Sequence, residues 1–465
     1  MRTRILTLVF AVLATGTALR AAQAEDALRM PAYETVKLDN GLTLQLMRHA
    51  TVPTVTFEMW IPAGASADPA GKEGLANLTA ESLRKGAGAR DAQAFAQAVD
   101  FLGADFNTSV NYDRVRITLN VLAKDFEPGL SLLADAVLAP RFDQGEVAKL
   151  TQQLAEGVVE AKDNPGNVLG DYHHAFLYSG HPYGNPVGGT ETSLPALTRA
   201  DVAGFHRDYY GADRTILTVA GDIDAGKAAA RIREVFGKMA RAAKPLPVLP
   251  DPVPAAKPRV LLVNKSDTPQ TWFMIGGLGP SFTDPDYEAT ELVRTVFGGR
   301  FTSWLNTELR IKSGLTYGAR YSMERPKVAG AAFMFSFTGT ENTKQAIDLA
   351  LAQLDRLHKD GLSEAELASA KAYFKGQTPY EYETAADMAR TLSELAFFGL
   401  DRSRVDNLFR DVDAVTLADC RRVTERYFRR DNLVFTTIGV KETVSDILGG
   451  YGELHLRENS DPGFR

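Results

Sequence analysis

Arg310 and Tyr317 are the residues of this chain whose types and spacing could do chemistry. They lie in the stretch Gly298–Tyr317, GGRFTSWLNTELRIKSGLTY, where two glycines precede an amphipathic run. Trp304, Leu305 and Leu309 fall at helical spacing, which predicts one apolar-faced helix, and Gly314 stands where a helix commonly ends. Arg310 is then near the helix C-terminus and Tyr317 just past the turn. A guanidinium and a phenol brought together both donate hydrogen bonds, and one carries a fixed charge, so the pair suits a substrate carbonyl or an oxyanion. Pattern alone equally describes a surface arginine at a helix end beside a half-buried tyrosine.

The other chemically able residues are sparse. The chain has seven histidines, and no two stand at H-x-x-E-H or H-E-x-x-H spacing. His173 and His174 are adjacent, so on a helix they point about 100° apart, a poor arrangement for a shared metal. Cys420 is the only cysteine, which excludes an intrachain disulfide and reads as a buried residue. With 45% hydrophobic and 24% charged residues among 465, the composition is that of a globular protein of two or more domains. The formal net charge is −6 and no basic cluster offers a nucleic-acid surface.

The elements that must position these residues can be followed along the chain. Arg2 and Arg4, an apolar run Ile5–Leu13 and the ending Ala22-Gln23-Ala24 form a secretory leader, with cleavage expected after Ala24. Export to a bacterial periplasm, or beyond the cell, follows as the expected address, and the mature chain has no stretch that could span a membrane. Tyr33–Leu46 reads as a hairpin turning at Asn40-Gly41. Strands are expected over 55–61, 104–121 and 215–219, and helices over 74–83, 91–102, 126–138, 144–159 and 198–210. The segment Ala240–Pro258, dense in proline, reads as an extended, solvated connector. It and the Gly/Pro-rich loop 61–71 are either hinges or plain surface loops.

After the connector the pattern returns. TRADVAGFHRDYYGADRTILTVAG (198–221) and TLADCRRVTERYFRRDNLVFTTIG (416–439) align at an offset of 218 residues, matching Asp201 to Asp419, Tyr209 to Tyr427 and Gly221 to Gly439. Such similarity between distant segments predicts a duplicated domain. Interleaved hairpins and helices predict an α+β fold, with helices on one face of an antiparallel-rich sheet in each half. The expected division is a leader 1–24, a first domain 25–239, a linker 240–258 and a second domain 259–465.

Read with this duplication, the chain resembles the M16 (pitrilysin/insulinase/mitochondrial-processing) peptidases. The block Gly298–Tyr317 resembles that family's LG…SRLFQELREKRGLAYS. DNGLTL (39–44), GKEGLANL (71–78), DNP (163–165), HPYGNPVGGTE (181–191) and YYGADRTILTVAGDID (209–224) follow in the family's order. The resemblance implies two homologous halves, and it implies that Arg310 and Tyr317 bind substrate. In active members H-x-x-E-H supplies two zinc ligands and the catalytic glutamate from one helix. This chain reads GLANLTAESLRKGA over 74–87, so Asn77, Ala80 and Glu81 stand at those positions. The third ligand's place falls near Gly157, where Glu156 and Glu160 are the nearby carboxylates. Glu81 with Glu156 could hold a hard cation but makes a poor zinc pair.

The resemblance therefore implies the non-zinc-binding subunit type of the two-subunit M16B group. Such a chain binds no metal itself. Zinc is expected in an H-x-x-E-H-bearing sister subunit, in a heterodimer or larger assembly that cuts extended peptides. Three alternatives stand beside it: an inactive scaffold, a peptide-binding protein that does not cut, and an independent enzyme with an unorthodox site.

Overall fold

The computed structural model describes residues 28–465, so the leader expected over 1–24 lies outside the described residues. One six-stranded sheet is built from β1 (Glu34–Lys37), β2 (Thr43–Arg48), β3 (Thr54–Ile61), β4 (Asp105–Val110), β5 (Val115–Leu122) and β6 (Ile216–Gly221), in the order β1-β2-β6-β3-β5-β4. A second is built from β7 (Arg259–Asn264), β8 (Gln270–Leu278), β9 (Ala319–Met323), β10 (Ala331–Gly339), β11 (Val434–Gly439) and β12 (Glu453–Glu458), in the order β12-β7-β11-β8-β10-β9. Five consecutive strands thus repeat the same order, and in both sheets the pair β2–β6 or β7–β11 is parallel while the next three pairs are antiparallel. The sheets differ at one edge, where β1 runs antiparallel to β2 but β12 runs parallel to β7. The duplication extends to helix starts. Thr198 with Asp201, and Thr416 with Asp419, form reciprocal capping boxes on the helices Arg199–Tyr209 and Leu417–Tyr427.

The strands alternate in burial partner rather than between core and water. On β3, Val55, Phe57, Met59 and Ile61 enter the first half's own core. On the opposite face the fully buried Trp60 meets Phe397 of the second half, ring centroids 5.5 Å apart. On β10, Ala332 and Met334 face the second half's own helices, while Ala331, Phe333 and Phe335 join Val168, Leu169 and Tyr172 of the first. A sheet that is apolar on both faces must be covered on both. Each half's own helices cover one face, as the alternation predicts. The other face is covered by a helix lent across the molecule: Pro165–Leu177 lies on β8 and β11, and Ala385–Phe398 lies on β3 and β6.

Two local readings change. The hairpin turn is not the two-residue Asn-Gly type: beyond Lys37 and Thr43 the Leu38 amide still donates to the Leu42 carbonyl at 2.8 Å, which leaves a three-residue loop, 39–41. The Asn40 side-chain amide instead donates to the carbonyls of Phe236 (2.8 Å) and Met239 (3.1 Å), tying the loop to a helix end far along the chain. The connector 240–258 has no regular structure, as expected, but it is held down. Asp213 accepts from the Ala242 amide at 2.8 Å, and the His181 ring lies 2.9 Å from the Pro250 carbonyl.

Leu169 and Leu392 are fully buried on the two lent helices. Leu169→Ala and Leu392→Ala are each expected to cost about 2–5 kcal/mol in urea denaturation. Unfolding is expected to stay a single transition, because neither sheet is covered without the other half. His173, on the same face as Leu169, is fully buried with Nδ1 3.0 Å from Thr436 Oγ1. Burial holds its pKa down to about 3. A histidine depressed in the folded state stabilises above its unfolded pKa near 6.5, and that stability is lost as pH falls towards 3. Relative to His173→Gln, the wild-type protein should therefore lose about 2.5 kcal/mol between pH 7.5 and 4.5.

Candidate functional site

The stretch carrying Arg310 and Tyr317 does not form the single α-helix that its spacing predicts. One α-turn, Trp304–Asn306, passes directly into a wider π-type segment, Thr307–Lys312. Extra residues per turn shift every side chain that a 3.6-residue period would place, and such segments recur at functional sites. Gly314 ends it in the left-handed region (φ 64°), as predicted. Leu309 is fully buried and Trp304 donates to Glu366 Oε1 at 2.8 Å, so the apolar face anchors the run. Asn306 ties its two ends together, donating to the Phe301 carbonyl at 2.7 Å and accepting from the Ala319 amide at 3.3 Å. Close packing beneath requires Gly298, where a Cβ would lie 2.3 Å from the Tyr321 amide nitrogen.

These contacts present Arg310 and Tyr317 side by side at the mouth of an open cleft of about 410 Å³. The Arg310 guanidinium lies over the Tyr317 ring at 4.5 Å and over the Phe301 ring at 4.9 Å. Tyr317 is 76% exposed, not half-buried. A guanidinium stacked on ring faces keeps its in-plane N–H groups available. The hydroxyl and the guanidinium edge are thus two adjacent donors directed at whatever enters. Tyr317 immediately precedes β9, the free edge of the second sheet.

Asn77, Ala80 and Glu81 lie on the helix Leu75–Ser82 in the first half, away from this cleft, whose lining runs from Gly298 to Tyr373. The helix is well made. Buried Asp68 accepts from the backbone amides of Gly74 (2.9 Å) and Ala76 (2.8 Å) at its N-terminus, and burial pushes the carboxyl up to about 8 against the pull of those donors. Ala80 is buried and supplies only a methyl group. Glu81 is already engaged, accepting from Thr108 Oγ1 at 2.8 Å on edge strand β4 and pairing with Arg84. Glu156 accepts from Gln152 at 2.8 Å on the surface of its own helix. A side chain committed to a hydroxyl and a guanidinium, a methyl group and an amide do not fit a zinc ion, and among the described residues no three His, Cys, Asp or Glu side chains gather for a metal.

Two of the histidines are held by neighbouring groups. His174 lies 2.9 Å from Glu324 and His181 accepts from the Tyr183 amide at 3.0 Å. Cys420 is buried, which pushes its thiol up to about 11. Among the described residues no helix is long and apolar enough to cross a membrane. Sequence reasoning missed Asp68, which sits too far ahead of its helix to match a capping template, and missed Arg300 and Arg320, which flank Arg310 in the cleft. Nothing local in the sequence sets either arginine apart.

Comparison with known proteins points one way. The family model described as "Insulinase (Peptidase family M16)" matches residues 45–191, and "Peptidase M16 inactive domain" matches 196–374. An uncharacterised zinc protease of Mycobacterium tuberculosis is 27% identical over 397 residues, covering 84% of this chain and 90% of its own length. The uncharacterised zinc protease YmxG of Bacillus subtilis is 23% identical over 393 residues, covering 84% and 95%. A crystal structure titled as a peptidase M16 inactive domain from Pseudomonas fluorescens superposes with a TM-score of 0.83 at 26% identity, covering 88% of this chain and 98% of that one. A protease from Helicobacter pylori shares the fold, with a TM-score of 0.81 at 21% identity over 88% of this chain.

The cap on the Asn77–Glu81 helix can be tested directly. Asp68→Ala leaves two buried amides without their acceptor and is expected to cost about 1–3 kcal/mol in chemical denaturation. Slower cleavage of the 61–71 loop by an added protease in the wild type than in the variant would register the same loss locally.

Proposed function

The chain belongs to the M16 peptidase family, and from that premise we propose that it is the non-zinc-binding subunit of a two-chain zinc endopeptidase. In this reading an exported H-x-x-E-H-bearing sister chain holds the zinc and carries out hydrolysis, and the two work together in the periplasm. The observation that carries it is an asymmetry. The helix Leu75–Ser82 keeps its buried aspartate cap while its ligand positions hold Asn77, Ala80 and Glu81, and the Arg310–Tyr317 pair stands unobstructed in an open cleft. A chain serving only as a scaffold has no need of two exposed donors held by so many buried contacts.

The role follows from the donors. An extended peptide crossing the cleft offers a main-chain carbonyl to Tyr317 Oη–H and to the free edge of the Arg310 guanidinium. As that carbonyl gains negative charge, both hydrogen bonds strengthen, and the positive charge strengthens the more. The donors are already in place, so little reorganisation opposes the gain. Main-chain recognition of this kind leaves sequence preference to the walls of the cleft. No step of hydrolysis is assigned to this chain's own Asn77–Glu81 helix.

The test mixes components. Peptide cleavage with zinc present is measured for this chain, for an H-x-x-E-H sister chain, and for both together. Activity is expected only in the mixture, with Arg310→Ala lowering kcat about 10²–10³-fold while the complex still assembles on a sizing column. Full activity from the sister alone, unchanged on mixing, would leave this chain a scaffold or a peptide-binding protein. Cleavage by this chain alone would overturn the assignment of the Asn77–Glu81 helix.

A further inference from the structure

The walls of the Arg310–Tyr317 cleft are charged in one sense. Arg300, Arg310 and Arg320 all line it, and no carboxylate does. Elsewhere in this acidic chain several arginines meet acids: Arg116 pairs with Glu58, Arg325 with Glu291, Arg404 with Glu288. Arg259 and Arg114 lie on ring faces without a salt bridge among the described residues, but each stands singly rather than in a group. Here the partners are ring faces and one hydroxyl. Arg320 lies over Phe335 at 4.1 Å, Arg300 lies 5.9 Å from the Tyr373 ring and donates to Ser369 Oγ at 2.9 Å, and Arg310 covers Phe301 and Tyr317. Arg300 Nε is buried without a partner. Burial lowers the pKa of Arg320 with no acid opposing it.

Three guanidiniums without counter-charge in one partly desolvated cleft carry an electrostatic cost that an anion would relieve. Their stacking leaves the N–H edges free, the arrangement suited to a planar carboxylate. The aromatic floor extends through Phe337 to Trp272, whose ring stacks on it at 4.3 Å. Such a floor accepts an apolar side chain beside the charge. We infer that Arg300 and Arg320 form a carboxylate subsite next to Arg310, so that the peptides this chain holds carry an acidic residue adjoining a bulky apolar one. This rests on the reading that Arg310 and Tyr317 bind peptide.

Binding by the full chain alone tests it, using fluorescence anisotropy with three labelled, N-acetylated peptides. The first has Phe-Glu at its centre in an alanine background and an amidated C-terminus. The second replaces Glu with Gln. The third is the Gln peptide with a free C-terminal carboxylate. The Phe-Glu peptide is expected to bind roughly tenfold or more tightly than its Gln counterpart, since hydrogen bonds to charged groups are worth that much, and the advantage should shrink as salt is raised. The double variant Arg300→Gln, Arg320→Gln should bring the ratio near one, and Arg320→Lys should restore part of it, which a merely structural role would not do. A gain for the free carboxylate instead of the glutamate keeps the subsite and assigns it to chain ends. Equal binding of all three, no binding of any, or a ratio that survives the double variant overturns the inference. If Arg310→Ala leaves cleavage in the mixed complex untouched while the glutamate preference persists, the shared-site reading fails and the carboxylate subsite stands.

Discussion

Both sheets of this protein are apolar on two faces, and that constraint organises everything else. Trp60 on β3 and Phe333 on β10 lie on the faces that each half's own helices do not reach. Left to water, each such face would forfeit the burial of several large side chains, on the order of 1.5–3 kcal/mol apiece. The exchange of Pro165–Leu177 for Ala385–Phe398 removes that cost in both halves at once. A duplicated domain can do this only if the two copies associate about an approximate twofold axis, so that the same surface gives and receives. The repeated strand order and the matched capping boxes are what such an origin would leave.

Fixing the halves in this way leaves the two chemically informative places on different copies. The helix with Asn77, Ala80 and Glu81 packs beside edge strand β4 of the first sheet. The Arg310–Tyr317 run feeds β9, the edge strand that occupies the same place in the second sheet. They lie beside corresponding edge strands of the two sheets rather than in one pocket.

Local chemistry was the part legible in sequence. The helix expected from Thr198 is present, and Thr-x-x-Asp starts it and its match at Thr416 through a capping interaction that spans only four residues. Gly314 announced a helix end because the left-handed conformation is set by one residue's own sterics. What escaped depended on partners remote in the chain. The helix Pro165–Leu177 is not among those expected from the sequence, and nothing local to it says that β8 and β11 would bury it. Asn40 looked like a turn residue, and its amide was taken by carbonyls at Phe236 and Met239. The π-type widening at Thr307–Lys312 also left no mark, since a period read from three apolar residues fits either helix. The arginine triad was invisible for a similar reason: what singles it out is the absence of carboxylates around it.

The connector offers a last point. Its backbone is irregular, Val248 and Val253 stand 94% and 83% exposed, it is fastened at Asp213 and His181, and Leu246, Leu249 and Ala255 rest half-buried against the cores. The halves, by contrast, are joined by two interlocked helices that the connector does not touch through any sheet hydrogen bond. The covalent link is thus not the main thing holding the halves together. A protease that nicked the segment would produce two fragments on a denaturing gel and one unchanged particle in solution, so for this chain the integrity of the polypeptide and the integrity of the fold are separate properties.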